Sequence, residues 1–281
     1  MQFKTAIEYA LWAGGAPFEV LASKVYRPRA AVLTYHSVHP DCWHPIVVSP
    51  DEFRSQMDML SRRFVPVSLA DIEAFIIDEK PLPKGAVAVT FDDAYLDNLT
   101  YALPVLEEFG IPATIFSTLL HIQQQDLVFE DGERRYMSRD EIAEISANRL
   151  IEIGGHGRHH SPFADCHPLD VELQPRECMD ELSKICQSPQ RYFAFPFGRL
   201  DSYDEHAKDS VKNAGYRLAF SNRFGFILSS DDPYELKRIQ IGCHDDAFLL
   251  ERKLKGGLQA LELLEHGPGL ALRKWWGERG K

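Results

Sequence analysis

Cysteine is scarce and unpatterned in this sequence. The five cysteines (Cys42, Cys166, Cys178, Cys186 and Cys243) are odd in number and show no Cys-x-x-Cys spacing. A disulfide framework or a thiolate metal ribbon needs paired spacings, so the count predicts free thiols in a reducing compartment. Long apolar runs are missing too. No stretch of about 18 uninterrupted apolar residues occurs, and no membrane span is expected. Positive charge is in deficit, with 31 Lys and Arg against 42 Asp and Glu and a formal net charge of -11. That is the wrong sign for general nucleic-acid binding. The N-terminus carries Glu8 and lacks a basic start followed by a clean apolar core. It reads as a helix rather than a signal peptide, and the expected location is cytoplasmic. There is no repeat of short fixed period and no internal linker. Neither Ser161 nor Cys243 has the neighbours of a nucleophilic triad.

What is present is a length of 281 residues, enough for one large α/β barrel as a single domain. The chain is organised around Ala86-Val-Ala-Val-Thr-Phe-Asp-Asp-Ala-Tyr95. An apolar, β-branched run of the kind that fills a buried strand ends in two adjacent carboxylates, Asp92 and Asp93. Successive side chains at a strand end point to opposite sides. One Asp can therefore bind a metal while the other stays free as a base.

Around this stretch, strand and helix alternate. Strands are predicted at Ala30–Tyr35, 64–67, 113–116, 150–153, 192–195, 218–221 and 236–241. Helix starts are marked by Ser49-Pro-Asp-Glu52, Ser68-Leu-Ala-Asp71 and Ser138-Arg-Asp-Glu141, each with a capping Ser and an acid three residues on. Residues 121 to 137 read as a polar, irregular insertion loop. Alternation of this kind implies parallel strands with helical crossovers. The number of units predicts a closed or nearly closed barrel, with an open doubly wound sheet as the alternative.

The polar residues of interest each follow a predicted strand: His36, Asp92 and Asp93, His156 to His160, and Pro196-Phe-Gly198. In parallel barrels that edge gathers catalytic groups. His156 and His160 are four apart, and in a helical turn both rings would share a face, with His159 pointing elsewhere. Two imidazoles and one carboxylate make a facial set that suits zinc or another late first-row divalent ion. Such an ion lowers the pKa of water and polarises a carbonyl, a free carboxylate takes the proton, and backbone N–H groups hold the oxyanion. This constellation hydrolyses an amide or ester.

With these motifs in order, residues 30 to 245 resemble the polysaccharide deacetylase family, the NodB-homology or carbohydrate esterase 4 group. Thr90-Phe-Asp-Asp93 matches a first motif, Thr-Phe-Asp-Asp-Gly. Ile153-Gly-Gly-His-Gly-Arg-His-His160 matches a second, His-(Ser/Thr)-x-x-His. Phe195-Pro-Phe-Gly198 is similar to a third, Pro-Tyr-Gly. Leu33-Thr-Tyr-His-Ser37, Leu103-Pro104, Ile111-Pro-Ala-Thr114 and Leu236-Lys-Arg-Ile239 extend the likeness. The resemblance implies a deformed (β/α) barrel, usually of seven units, that removes N-acetyl groups from amino sugars of a glycan. It makes Asp92 the base and Asp93, His156 and His160 the ligands of one divalent ion, Zn2+ first, with Co2+, Ni2+ or Mn2+ as substitutes. Pro196 and Phe197 become the substrate and oxyanion residues.

Departures from the family pattern are as informative. Ala94 stands for the motif's Gly and Gly157 for its Ser or Thr. Ala194 stands where many members carry an Arg that holds the catalytic Asp. Arg238 is either its substitute or a surface residue on an edge strand. For the general acid, His36 is favoured; His244 reads as a solvated loop residue. These departures leave two alternatives: a non-catalytic, metal-containing carbohydrate-binding barrel, and hydrolysis of another C–N bond such as a formamide. The expected organisation is a helical arm over 1–28, the barrel over 29–265 and a basic, aromatic tail over 266–281. Arg273-Lys-Trp-Trp276 in that tail reads first as a frayed terminal helix packed on the barrel, and second as a weak contact with a membrane surface, which would place the protein at the inner face of a membrane.

Overall fold

The first strand, β1 (Arg29–Tyr35), is followed by short strands β2 (Ser37–Val38) and β3 (Val47–Val48), which pair in parallel with each other. Helix α1 (Pro50–Arg63) begins where the Ser49 hydroxyl accepts from the Glu52 N–H at 3.2 Å. Strand β4 (Val65–Pro66) leads to α2 (Leu69–Ile77), opened by a reciprocal Ser68–Asp71 capping box. Strand β5 (Ala86–Asp92) runs into a π-helical turn over Asn98–Ala102 and α3 (Leu103–Phe109). Gly110, left-handed at φ 64°, ends that helix. Then come β6 (Ala113–Ser117), α4 (Leu119–Gln123), α5 (Arg139–Ser146) and β7 (Ile151–Gly155). The chain continues through α6 (Pro168–Cys186), β8 (Tyr192–Ala194), α7 (Glu205–Asn213), β9 (Leu218–Phe224), β10 (Ile227–Leu228), β11 (Leu236–Gln240) and α8 (Ala247–Leu254). These elements come from a computed structural model that describes residues 29–41, 44–123, 135–188 and 190–256.

Seven parallel strands form a ring in the order β1-β11-β9-β8-β7-β6-β5. Strands β1 and β5 pair from Ala31↔Val87 to Tyr35↔Phe91 and close it. That pairing excludes the open sheet. Strand β4 adds to the start of β5, and β10 lies antiparallel to β1.

Side chains alternate across each strand, and the two faces have different contents. Leu33, Val87, Val89, Ile115, Ile151 and Ile153 face out beneath the helices in one apolar cluster. Ala30, Val32, Ala86, Ala88, Phe116, Tyr192, Ala194, Leu218, Phe220 and Leu236 form another with α2 residues Leu69, Ile72, Phe75 and Ile76. The second cluster is the barrel interior with α2 as its plug. Alanines let the larger Phe116, Tyr192 and Phe220 fill the bore. Gly154 is required here, because a Cβ on it would lie 2.6 Å from the Phe116 ring. Continuing the inward parity beyond the apolar layer reaches His36, Asp92, His156, Pro196, Asn222 and Arg238. The interior column thus turns into the site at its C-terminal end.

Two expectations change, and two more fall on residues that are not described. The segment from 121 to 137 is not all irregular: Leu119–Gln123 is helical, and Tyr136 bridges Tyr95. The short strands β2, β3 and β10, two residues each, are too brief to stand out from the sequence. The arm over 1–28 and the tail with Arg273-Lys-Trp-Trp276 lie outside the described residues. Among the described residues, no helix is long and apolar enough to cross a membrane, and Cys166, Cys178, Cys186 and Cys243 are free.

Candidate active site

Asp92, the last residue of β5, is buried and points into the bore. Arg238 on β11 grips both of its oxygens, with Nη1 to Oδ1 at 2.7 Å and Nη2 to Oδ2 at 2.8 Å. Arg238 is no surface residue: its side chain is fully enclosed. Its Nε donates to the Ser221 carbonyl at 2.9 Å, and its guanidinium lies 5.5 Å from the Phe116 ring centroid. A paired, hydrogen-bonded guanidinium is the form in which a buried cation is tolerated. Burial raises the Asp92 carboxyl, but Arg238, helped by His156 and His36, outweighs it and keeps the group below its ordinary value.

Asp93 follows in a turn with φ 73°, and Ala94 with φ 54°. Two consecutive left-handed residues that are not glycine store strain, here directly under a carboxylate. The turn swings Asp93 away from Arg238 towards the histidines. His160 Nε2 lies 3.0 Å and His156 Nε2 3.6 Å from Asp93 Oδ1. The two rings come together through a bend, not the helical turn that their spacing predicted. Gly157 at φ 78° and His160 at φ 48° turn the chain too sharply for a helix. His159 is exposed and takes no part.

These residues fit a divalent cation on three counts. The three donor atoms lie within 4.8 Å of one another. His156 Nδ1 is 2.7 Å from the Ala194 carbonyl, so it carries the proton and leaves Nε2 bare towards Asp93. Asp93 Oδ1 is buried with only the two ring nitrogens facing it, at 3.0 and 3.6 Å, and no other donor among the described residues. Burial opposes charge on Asp93, but His160, His36 and His156 outweigh it and hold the carboxyl well below the usual carboxylate range. Burial pushes His156 down to about 4, in the neutral, ligating form. For His160 the Asp93 carboxylate overcomes burial and raises the ring above its ordinary value.

His36, after β1, lies close enough to both carboxylates to lower each. Its Nδ1 is buried with no hydrogen-bond partner. Asn98 Nδ2 donates to the His36 carbonyl at 2.9 Å, and Asp97 takes the Ser37 hydroxyl at 2.5 Å, so residues just after the Asp pair brace the end of β1. His244 is exposed. Pro196 has no N–H to donate and shapes the turn instead. Phe197 sits at φ 62° and is 44% exposed, with its ring 5.0 Å from the His160 ring. The Gly198 N–H goes to the Pro196 carbonyl at 2.7 Å.

Asn222 was not singled out from sequence. Its Oδ1 accepts from Arg238 Nη2 at 2.8 Å and its Nδ2 donates to the Phe197 carbonyl at 3.2 Å. One side chain therefore ties the third motif to the Arg238–Asp92 pair. Strand β9 runs to Phe224, past the predicted end at Ser221, so the inward parity of Leu218 and Phe220 reaches Asn222. Thr118 was missed as well. Its hydroxyl donates to the His156 carbonyl at 3.2 Å, bracing the histidine loop where Gly157 brings no hydroxyl of its own.

Comparison with known proteins agrees with this geometry. Residues 79–219 match the family described as polysaccharide deacetylase. The poly-beta-1,6-N-acetyl-D-glucosamine N-deacetylase of Staphylococcus aureus is 24% identical over 213 residues, which span 72% of this chain and 69% of that protein. The deacetylase PplD of Streptococcus pyogenes, solved in complex with acetate, superposes with TM-score 0.72 at 18% identity, over 82% of this chain and 99% of that one. IcaB from Ammonifex degensii superposes with TM-score 0.69 at 24% identity, over 81% and 97% of the two chains.

Proposed function

The chain belongs to the polysaccharide deacetylase family, and we propose that it hydrolyses the N-acetyl group from amino sugars of a glycan with one bound divalent ion, zinc first. The observation that carries this reading is the division of labour between adjacent carboxylates. Asp92 is locked to Arg238, while Asp93 turns to His156 and His160.

A cation held by Asp93, His156 and His160 supplies Lewis acidity and makes a water easier to deprotonate. Asp92 takes the proton of the attacking water. It is ionised at neutral pH because Arg238 stabilises its charge, and a carboxylate has lone pairs beyond the two that Arg238 uses. The Phe197 N–H, which donates to no described residue, holds the oxyanion in this reading. His36 passes a proton to the leaving amine as the amide C–N bond breaks. Products are acetate and a free amino sugar.

The non-catalytic alternative receives no support from the site. A buried carboxylate kept charged by a fully enclosed guanidinium, next to a set of donors that fits a cation, supports hydrolysis over sugar binding alone. The substrate class is suggested by the Staphylococcus aureus relative's glycan, a β-1,6-linked N-acetylglucosamine polymer. The test is acetate release from N-acetylglucosamine oligomers, before and after chelation and after Zn2+ is returned. Acetate that disappears with chelator and reappears with metal is expected. Release that ignores chelator, or formate from an N-formyl analogue with no acetate from the oligomers, would overturn the reading.

A further inference from the structure

The junction of β6 and α4 holds the chain around His156. The Ser117 carbonyl accepts the His156 N–H at 2.9 Å. The Leu119 and Leu120 N–H groups donate to the Gly157 and Arg158 carbonyls at 3.1 and 2.9 Å. With the Thr118 hydroxyl on the His156 carbonyl, residues 117–120 hold the start of the histidine loop, 156–158, and Gln174 takes the Arg158 and His159 N–H groups. The residue after Leu120 is His121. Its imidazole is buried. It also stacks on Tyr136 at 3.5 Å and 5° and lies 5.4 Å from the His160 ring.

His121 is 6% exposed, and its Nδ1 has no hydrogen-bond partner. It is not part of the ligand set. Core packing alone does not call for an imidazole there. The ring beneath it belongs to a segment that also grips the strained turn. The Met137 N–H donates to the Ala94 carbonyl and the Leu96 N–H to the Arg135 carbonyl, both at 2.9 Å. The Tyr95 and Tyr136 rings stack 5.0 Å apart.

We propose that His121, clamped on Tyr136, is a positioning residue that holds the Asp93–Ala94 turn in its left-handed conformation, so that Asp93 meets the cation together with His156 and His160. The proposal rests on those three residues being the metal site. It also accounts for the tolerance of Ala94 where the family motif has glycine. Alanine prefers to leave the left-handed region, and an external clamp keeps it there.

The test is Zn2+ affinity of the full chain, read by competition with a chromogenic chelator, with thermal unfolding in excess chelator as the fold control. His121→Ala should weaken Zn2+ binding by about 10-fold or more, the usual scale for a residue that orients a ligand. Ala94→Gly alone should change affinity little. Adding Ala94→Gly to His121→Ala should restore most of the loss, because glycine keeps the turn without the clamp; a structural defect unconnected with the turn would not show this coupling. Tyr136→Leu, which removes the ring below His121, should weaken binding in the same way and be rescued by the same glycine. It decides the matter if His121→Ala does not fold. Unchanged affinity in the folded variants, or a loss that Ala94→Gly leaves untouched, overturns the clamp. No Zn2+ on the unaltered chain overturns the site reading and the clamp with it.

Discussion

Arg238 reaches Asp92 across the bore, from β11 past the intervening β1 to the end of β5, and binds both carboxylate oxygens. This is a bidentate pair shielded from bulk solvent. It sets the protonation state of the proposed base, and through Asn222 it connects to the loop that carries Phe197.

Arg238→Lys should keep the charge and lose the fork. Metal stoichiometry should stay at one, and kcat should fall by about 10²-fold with little change in KM, because the loss is in orientation of the base. Arg238→Met leaves Asp92 buried without a cation and should lower stability by about 3 kcal/mol or more, read by urea unfolding. An Arg238→Met variant as stable and active as the unaltered protein would show that the pair has no part in either.

Removing a ligand should remove the metal and the stability that comes with it. Zn2+ at 100 times its Kd should stabilise the unaltered chain by about 2.7 kcal/mol. His156→Ala should show no such gain in thermal unfolding and no stoichiometric Zn2+. Full occupancy in that variant contradicts the ligand assignment.

Glu152 points into the barrel near the plug. Burial raises its carboxyl from 4.5 to about 7, with Glu73 adding to the rise and Arg191 opposing it. The folded state therefore binds this proton more tightly than the unfolded chain. That contribution to stability is present at low pH and is lost as pH rises from the unfolded value through about 7. Glu152→Gln, which carries no charge, should be more stable than the unaltered protein by about 1–2 kcal/mol at pH 8 and gain little near pH 4.5. Urea unfolding at both pH values checks this. Equal gains at the two would mean that burial of the charge is not the cause.

Much of the site was legible because barrel strands alternate strictly. Ala88, Thr90 and Asp92 share a face, so the run that ends in Asp92 announces both the core and the proposed base. Ser49, Ser68 and Ser138 announced their helices through local hydrogen bonds that depend on nothing distant. What sequence could not supply were contacts made by closure. Arg238 finds Asp92 only because the ring closes through β1 and β5. Asn222 was hidden by a strand end placed too early. His121 sits between Leu120 and Ile122, where a lone polar residue in an apolar run reads as core, and its partner Tyr136 comes from another segment. The spacing of His156 and His160 suggested a helix, since spacing does not reveal that Gly157 and His160 are left-handed.

The central claim is that the adjacent carboxylates do different work, and one paired measurement tests it. Asp92→Asn and Asp93→Asn are each assayed for bound Zn2+ and for acetate release from an N-acetylglucosamine oligomer. Asp92→Asn should hold one equivalent of metal and lose a factor of about 10² to 10⁴ in rate, the range for a general base. Asp93→Asn should lose the metal. An Asp92→Asn variant that turns over at a near-normal rate, or that loses its metal as Asp93→Asn does, would contradict the account.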